Sequence, residues 1–144
     1  MTTNARTPIS NAGRTAFGAI LTAAVIGLTI ATAYIHLTLG GVIFTLNGLG
    51  YLGLAVLVVI GAVAPIPLVA RFSWFPRVAL AGYAAVTIGS YLVIGPYFSL
   101  GWIAKAIELG IIGLVLVDVM RVYGSPVGLL RSALDSVGSD RRPA

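Results

Sequence analysis

Between Arg14 and Arg71 the chain has no Lys, Arg, Asp or Glu and a single histidine, His36, and from Val78 to Ala104 it is uncharged again. Runs of this kind predict membrane-spanning helices, because a span needs about 20 predominantly apolar residues. Span one is expected from Ala16 to Leu39, with Gly40-Gly41 supplying the freedom for a tight reversal. Span two follows from Val42 to Ala64, where Pro65 and Pro67 stop it. A segment of that length reaches about 34 Å at 1.5 Å per residue, enough to cross the hydrocarbon with a little tilt. Arg71, Phe72, Trp74, Phe75 and Arg77 then mix cations and aromatics as a headgroup region requires. Span three is expected over Pro76 to Ile94 and span four over Leu100 to Tyr123, joined by a turn at Gly95-Pro96-Tyr97. The predicted fold class is all-α: a four-transmembrane-helix bundle over residues 16–123, between a tail at 1–15 and a C-terminal segment at 124–144.

That last segment has its own pattern. Ser125-Pro126 offers an N-cap followed by proline at the first helical position. Pro126, Leu129, Leu130, Ala133, Leu134 and Val137 fall on one face opposite Arg131 and Asp135, up to Gly138. A short amphipathic helix is expected, lying on the membrane surface or on a partner.

Composition agrees with a lipid environment: 58% of residues are hydrophobic and 9% charged, with a mean hydropathy of +1.02. A soluble domain of that composition could not build a charged surface. The net charge of +5 does not read as a nucleic-acid footprint, because the basic residues flank the spans and are not interleaved with aromatics. Arg6, Arg14, Arg71, Arg77, Arg121, Arg131, Arg141 and Arg142 all fall on one side of the layout, and the two opposite connections are uncharged. By the positive-inside rule both termini face the cytoplasm, which makes this a multi-pass protein of the cell membrane. The apolar stretch from Ala16 to Leu39 exceeds the ~7–15 residues of a signal-peptide core, so a span is expected there rather than a cleaved leader. There is no cysteine, hence neither a disulfide framework nor a thiolate metal site.

Small residues recur every four positions: Ala23, Gly27 and Ala31 in span one, Ala81, Ala85 and Gly89 in span three, Ala106 and Gly110 in span four. Such stripes let helix backbones approach closely where no hydrophobic force acts between helices.

Counting inward from the two uncharged turns places the strongly polar residues of the spans in one layer. His36, Asn47, Tyr91, Lys105 and Glu108 all come to lie roughly 6–12 Å inside their helix ends, with Ser90 and Tyr51 as additions. Lys105 and Glu108 stand at i and i+3 and can pair. An ionisable group at mid-span costs about 2.5–3.5 kcal/mol, so both are expected to face the bundle interior with His36. The layer reads either as a binding pocket or proton pathway, or as a polar clasp that fixes helix register. Asp118 and Arg121 repeat the i,i+3 spacing near the other end, where a solvated interfacial contact is expected.

No G-x-S-x-G, H-E-x-x-H or P-loop occurs, so hydrolytic and phosphoryl-transfer chemistry have no support and no catalytic residue is assigned. The residues specify no cofactor. Haem ligated by two imidazoles would need a second His36 from a symmetric copy or a partner, and a metal would find only His36 and Glu108.

The stretches Ile35–Gly40, Leu46–Leu52 and Leu100–Glu108 resemble a family of small four-span prokaryotic integral membrane proteins. The resemblance covers roughly Ala16 to Arg121; it implies the four-span fold and singles out His36, Asn47, Tyr51, Lys105 and Glu108, but brings no substrate with it. The expected role is a non-catalytic integral membrane subunit packed beside other membrane subunits or copies of itself, in a complex for electron transfer or energy conversion. Minimal loops and small-residue faces motivate this reading. The rival is a small oligomeric carrier or channel using His36, Lys105 and Glu108. A third reading is a quinone- or haem-binding redox subunit in which His36, Tyr91 and Glu108 touch the cofactor.

Overall fold

A computed structural model describes residues 11–138, and these are helical apart from short connections. Residues 1–10 and 139–144, with Arg6, Arg141 and Arg142, lie outside the described residues, as does the side chain of Arg14. Six helices follow in order: α1 (Asn11–Leu39), α2 (Val42–Val63), α3 (Pro67–Arg71), α4 (Trp74–Ile94), α5 (Ser99–Tyr123) and α6 (Pro126–Gly138). Helix α1 thus starts at Asn11 rather than Ala16, and the expected loop between Pro65 and Arg77 contains the short helix α3.

The helix boundaries have local causes. Gly40 and Gly41 take φ of 72° and 82°, which a residue with a Cβ adopts only under strain. Helix α2 ends where Ala64 turns extended ahead of Pro65, since proline disfavours the helical region for its predecessor. Gly124 closes α5 in the left-handed conformation, donating its N–H to the Met120 carbonyl. The α4–α5 connection bends at Tyr97, a non-glycine residue with φ of 48°. Its hydroxyl donates to the Leu92 carbonyl at 2.7 Å and its ring stacks on Trp102, contacts that hold the unusual backbone.

Helices α1, α2 and α4 are long and apolar enough to cross a membrane. Helix α5 has 25 residues but carries Lys105, Glu108, Asp118 and Arg121. It packs against α1 on one side and α4 on the other, while α2 packs chiefly on α1. The core they share holds Val25 and Ala33 of α1, Tyr51 of α2, Leu80 and Ala84 of α4, and Ile111, Val115 and Val119 of α5. The outward surface is equally apolar. Ile43, Val93 and Ile94 are each about 80% exposed, a distribution that suits lipid and would be costly in water.

The small-residue stripes are turned differently from the expectation. Ala23, Gly27, Ala85, Gly89 and Ala106 are exposed, and a Cβ added at Gly27 or Gly89 would meet nothing within 4 Å among the described residues. Of the stripe residues, Ala81 packs against the core and Gly110 approaches a neighbouring helix, through Leu28. Close approach falls instead to Gly48, whose missing Cβ admits Leu37 and the Ala33 carbonyl, and to Gly101, which takes the Tyr91 ring.

Helix α6 docks along one edge of its apolar face. Leu129 packs against the core, Ala133 is half-buried, and the buried Ser136 accepts a bond from Trp74 Nε1 at 2.9 Å. The Ser136 carbonyl takes Arg71 Nε at 2.6 Å. Leu130, Leu134 and Val137 stay exposed, so the rest of that apolar face is turned away from the other helices. The Ser125 hydroxyl caps its first turn through the Gly128 N–H at 3.0 Å.

Candidate functional site

The four long helices meet at one carboxylate. Glu108, on α5, has no exposed surface. Lys105, one turn earlier on the same helix, donates from Nζ to both carboxylate oxygens, at 2.7 Å and 2.6 Å. From α1 the Thr32 hydroxyl donates to Oε1 at 3.3 Å, and His36 Nε2 lies 3.7 Å from the same oxygen. From α4 the Thr87 hydroxyl donates to Oε2 at 2.8 Å. The Thr87 oxygen also lies 2.9 Å from the Ala84 carbonyl and 2.8 Å from the Tyr51 hydroxyl of α2, so its one hydrogen is shared among these partners and the Tyr51 hydroxyl joins the cluster through it. Apart from the Lys105 bonds, which stay within α5, these contacts tie α1 and α4 to α5 and α2 to α4, so the cluster fixes register as well as charge.

His36 is held by its other ring nitrogen. Nδ1 donates to the Thr32 carbonyl at 2.8 Å, which leaves Nε2 of a neutral ring as an acceptor turned toward Glu108. On a protonated ring the 3.7 Å approach of Nε2 to Oε1 is an ion pair. Tyr51 backs the His36 ring at 5.7 Å between centroids and meets Tyr83 edge-on at 4.9 Å.

Two members of the expected layer stand apart from this network. Asn47 contributes its backbone carbonyl, which accepts from the Tyr83 hydroxyl at 3.3 Å, and the residue lines a cavity. Tyr91 sends its hydroxyl to the Phe98 carbonyl at 3.1 Å and offers Lys105 its ring, with Nζ 5.7 Å from the centroid. Ser90 is exposed. Thr32 and Thr87, which inward counting passed over, do the bonding instead. Both carried a signal: Thr32 lies one turn before His36 and Thr87 one turn before Tyr91, each on the same helix face.

Two cavities flank this cluster. The one toward the Gly40 and Pro96 turns has a volume of about 470 Å³, with Phe44, Val86, Ile94 and Phe98 among its walls and His36, Thr87 and Lys105 reaching it. The one toward the arginines, about 620 Å³, is reached by Arg77, Asp118 and Arg121. Between them Tyr51, Leu80, Ala84 and Ile111 have no measurable exposure. The polar cluster therefore communicates with one cavity and is closed to the other by a packed apolar layer.

The second ion pair is also less solvated than expected. Asp118 is only 8% exposed, because a third residue joins it: Arg77 Nε donates to Oδ2 at 2.7 Å, while Arg121 Nε and Nη2 share Oδ1 at 3.1 Å and 2.7 Å. As for metals, no three His, Cys, Asp or Glu side chains converge among the described residues. Comparison of the chain with protein-family models, with curated proteins and with solved structures gives no match.

Proposed function

We propose that the chain is a four-span integral membrane protein, with α1, α2, α4 and α5 crossing the bilayer and both termini on the cytoplasmic side, that serves as a non-catalytic subunit of a larger membrane assembly. The charges of α5 are compatible with a span because Lys105 and Glu108 neutralise each other inside the protein and present no charge to lipid. The observation that carries the subunit reading is the outward turn of the small residues. Gly27 and Gly89 meet nothing, yet they sit in stripes of the kind that lets a neighbouring helix backbone come close. The cluster around Glu108 supports it from within. No buried side-chain polar atom among the described residues lacks a partner, as a clasp that fixes register needs.

A second reading, a small carrier, is favoured by the cavity that reaches Lys105 and His36 from the turn end. The layer of Tyr51, Leu80, Ala84 and Ile111 on the other side of the pair is then the barrier that a transport cycle has to open.

Native mass measurement in a mild detergent on the wild type and Gly27→Leu tests the first reading. The wild type is expected in an assembly of more than one chain, and the variant as a single chain with unchanged thermal stability. A monomeric wild type, or an assembly indifferent to a leucine at this position, overturns it.

A further inference from the structure

We propose that the cavity at the arginine end binds the phosphate of an anionic phospholipid, with Arg77 and Arg121 as its ligands. This site is separate from the Glu108 cluster and does not depend on how that cluster is read. Its charge is unbalanced: two guanidinium groups share the single Asp118 carboxylate, which leaves one positive charge at the wall of a cavity of about 620 Å³. That volume lies within the roughly 300–1,000 Å³ of small-molecule sites.

The donors are unbalanced too. Each guanidinium carries five N–H groups. Arg77 uses Nε on Asp118 and Nη1 on the Ser73 carbonyl; Arg121 uses Nε and Nη2 on Asp118. Arg77 Nη2 and Arg121 Nη1 have no hydrogen-bond partner among the described residues. Asp118 meanwhile fixes both groups in place, so an arriving anion meets forks already oriented. Gly18 is part of the fit: a Cβ there would stand 2.8 Å from Arg121 Nη1, and the bare backbone makes room for the guanidinium.

The walls select a lipid over a free ion. Val58, Val59 and Leu80 line the cavity, and Val63 at its edge is 72% exposed, so the opening lies on the apolar surface that faces acyl chains. The arginines stand at the ends of α4 and α5, at headgroup depth for a spanning protein, where basic pockets between helices take lipid headgroups. A phosphate seated between Arg77 and Arg121 can leave the start of its acyl chain against the valines.

Thermal unfolding of the full chain in neutral detergent, with graded additions of a phosphatidylglycerol, a phosphatidylcholine or inorganic phosphate, tests this. Phosphatidylglycerol is expected to stabilise the wild type at roughly five- to tenfold lower concentration than phosphatidylcholine, in keeping with about 1 kcal/mol per basic residue at a membrane surface. Arg121→Gln should bring the two lipids to parity. Arg131→Gln, which removes an exposed charge on α6, should leave the preference as it is. Equal response of the wild type to both lipids overturns the proposal, whether or not Arg121→Gln folds. So does a preference that Arg121→Gln retains or that Arg131→Gln abolishes. Stabilisation by inorganic phosphate as effective as that by phosphatidylglycerol assigns the site to a free anion and overturns the lipid.

Discussion

Helix α5 carries the same device twice, an ion pair at i and i+3, and the two copies have different fates. Lys105 and Glu108 stand in the less favourable order for a helix, cation before anion. Asp118 and Arg121 have the favourable order, with Arg121 in the last turn. Yet the first pair is the better buried, with side-chain exposures of 9% and 0% against 34% and 11% for Arg121 and Asp118. What stabilises Lys105–Glu108 therefore comes from outside α5: hydroxyl donors from α1 and α4 and a ring from α4 close around it. The second pair needs only α5 and Arg77, and its arginines keep donors to spare. One copy is consumed by packing; the other stays available.

The largest consequence lies at Glu108. Removing one partner of a buried pair costs about 3–5 kcal/mol because the other charge is left uncompensated. Glu108→Ala, followed by denaturant unfolding in detergent, should show a loss of that order. Lys105→Met should cost less, since Glu108 keeps the Thr32 and Thr87 hydroxyls and the neighbouring His36, whereas Lys105 has hydrogen bonds to Glu108 and otherwise the Tyr91 ring. Replacing both, as Lys105→Met with Glu108→Leu, should recover most of the loss. Equal losses for the two single variants would mean that the surrounding hydroxyls contribute nothing, and the contrast between the two pairs would collapse to depth alone.

The contrast also explains what could be read from the sequence. Spans one to three were legible because an uncharged run of that length has few other uses, and their ends were legible from Gly40-Gly41, Pro65 and Gly95-Pro96. The depth of His36, Lys105 and Glu108 followed from counting residues, since rise per residue is nearly constant. Facing is harder. Depth fixes one coordinate, and rotation about the axis fixes the other; a span apolar on every side gives no moment from which to read it. Hence Asn47 and Tyr91 were placed at the right height but bond elsewhere, Thr87 was passed over for Ser90, and the Ala23–Gly27 stripe faces outward. Spacing alone predicts a solvated contact at Asp118 because its second cation, Arg77, lies on another helix, and no local pattern announces a partner 41 residues away.

A smaller effect is expected at Thr87. Its replacement by valine keeps the shape, removes a hydroxyl from beside Glu108 Oε2 and leaves the Tyr51 hydroxyl without this hydrogen-bond partner. Hydrogen bonds between helices in membrane proteins average about 0.6 kcal/mol and reach about 1.7 kcal/mol, so Thr87→Val should cost about 1 kcal/mol in the same unfolding assay. It should also weaken the coupling between Lys105 and Glu108 in a double-mutant cycle. A cost near zero would show that the clasp rests on the ion pair and not on the ring of helices around it.

The smallest change in stability is expected at Asp118, for the reason that sets the two pairs apart. Asp118 itself is 8% exposed, but its cations are 23% and 34% exposed, so solvent screens the charges from the cation side. The contribution is expected toward the upper end of the roughly 0–1 kcal/mol of solvent-screened pairs. Asp118→Asn should lower stability by no more than that, and the difference from wild type should shrink as salt rises toward 1 M, where the Debye length falls to about 3 Å. The Glu108→Ala loss should depend less on salt over the same range, because Glu108 has no exposed surface and Lys105 is 8% exposed. Unfolding at low and high salt therefore measures the asymmetry of α5 directly. A salt-insensitive loss at Asp118 as large as that at Glu108 would mean that both carboxylates are consumed by packing, and that Arg77 and Arg121 have nothing left to offer a ligand.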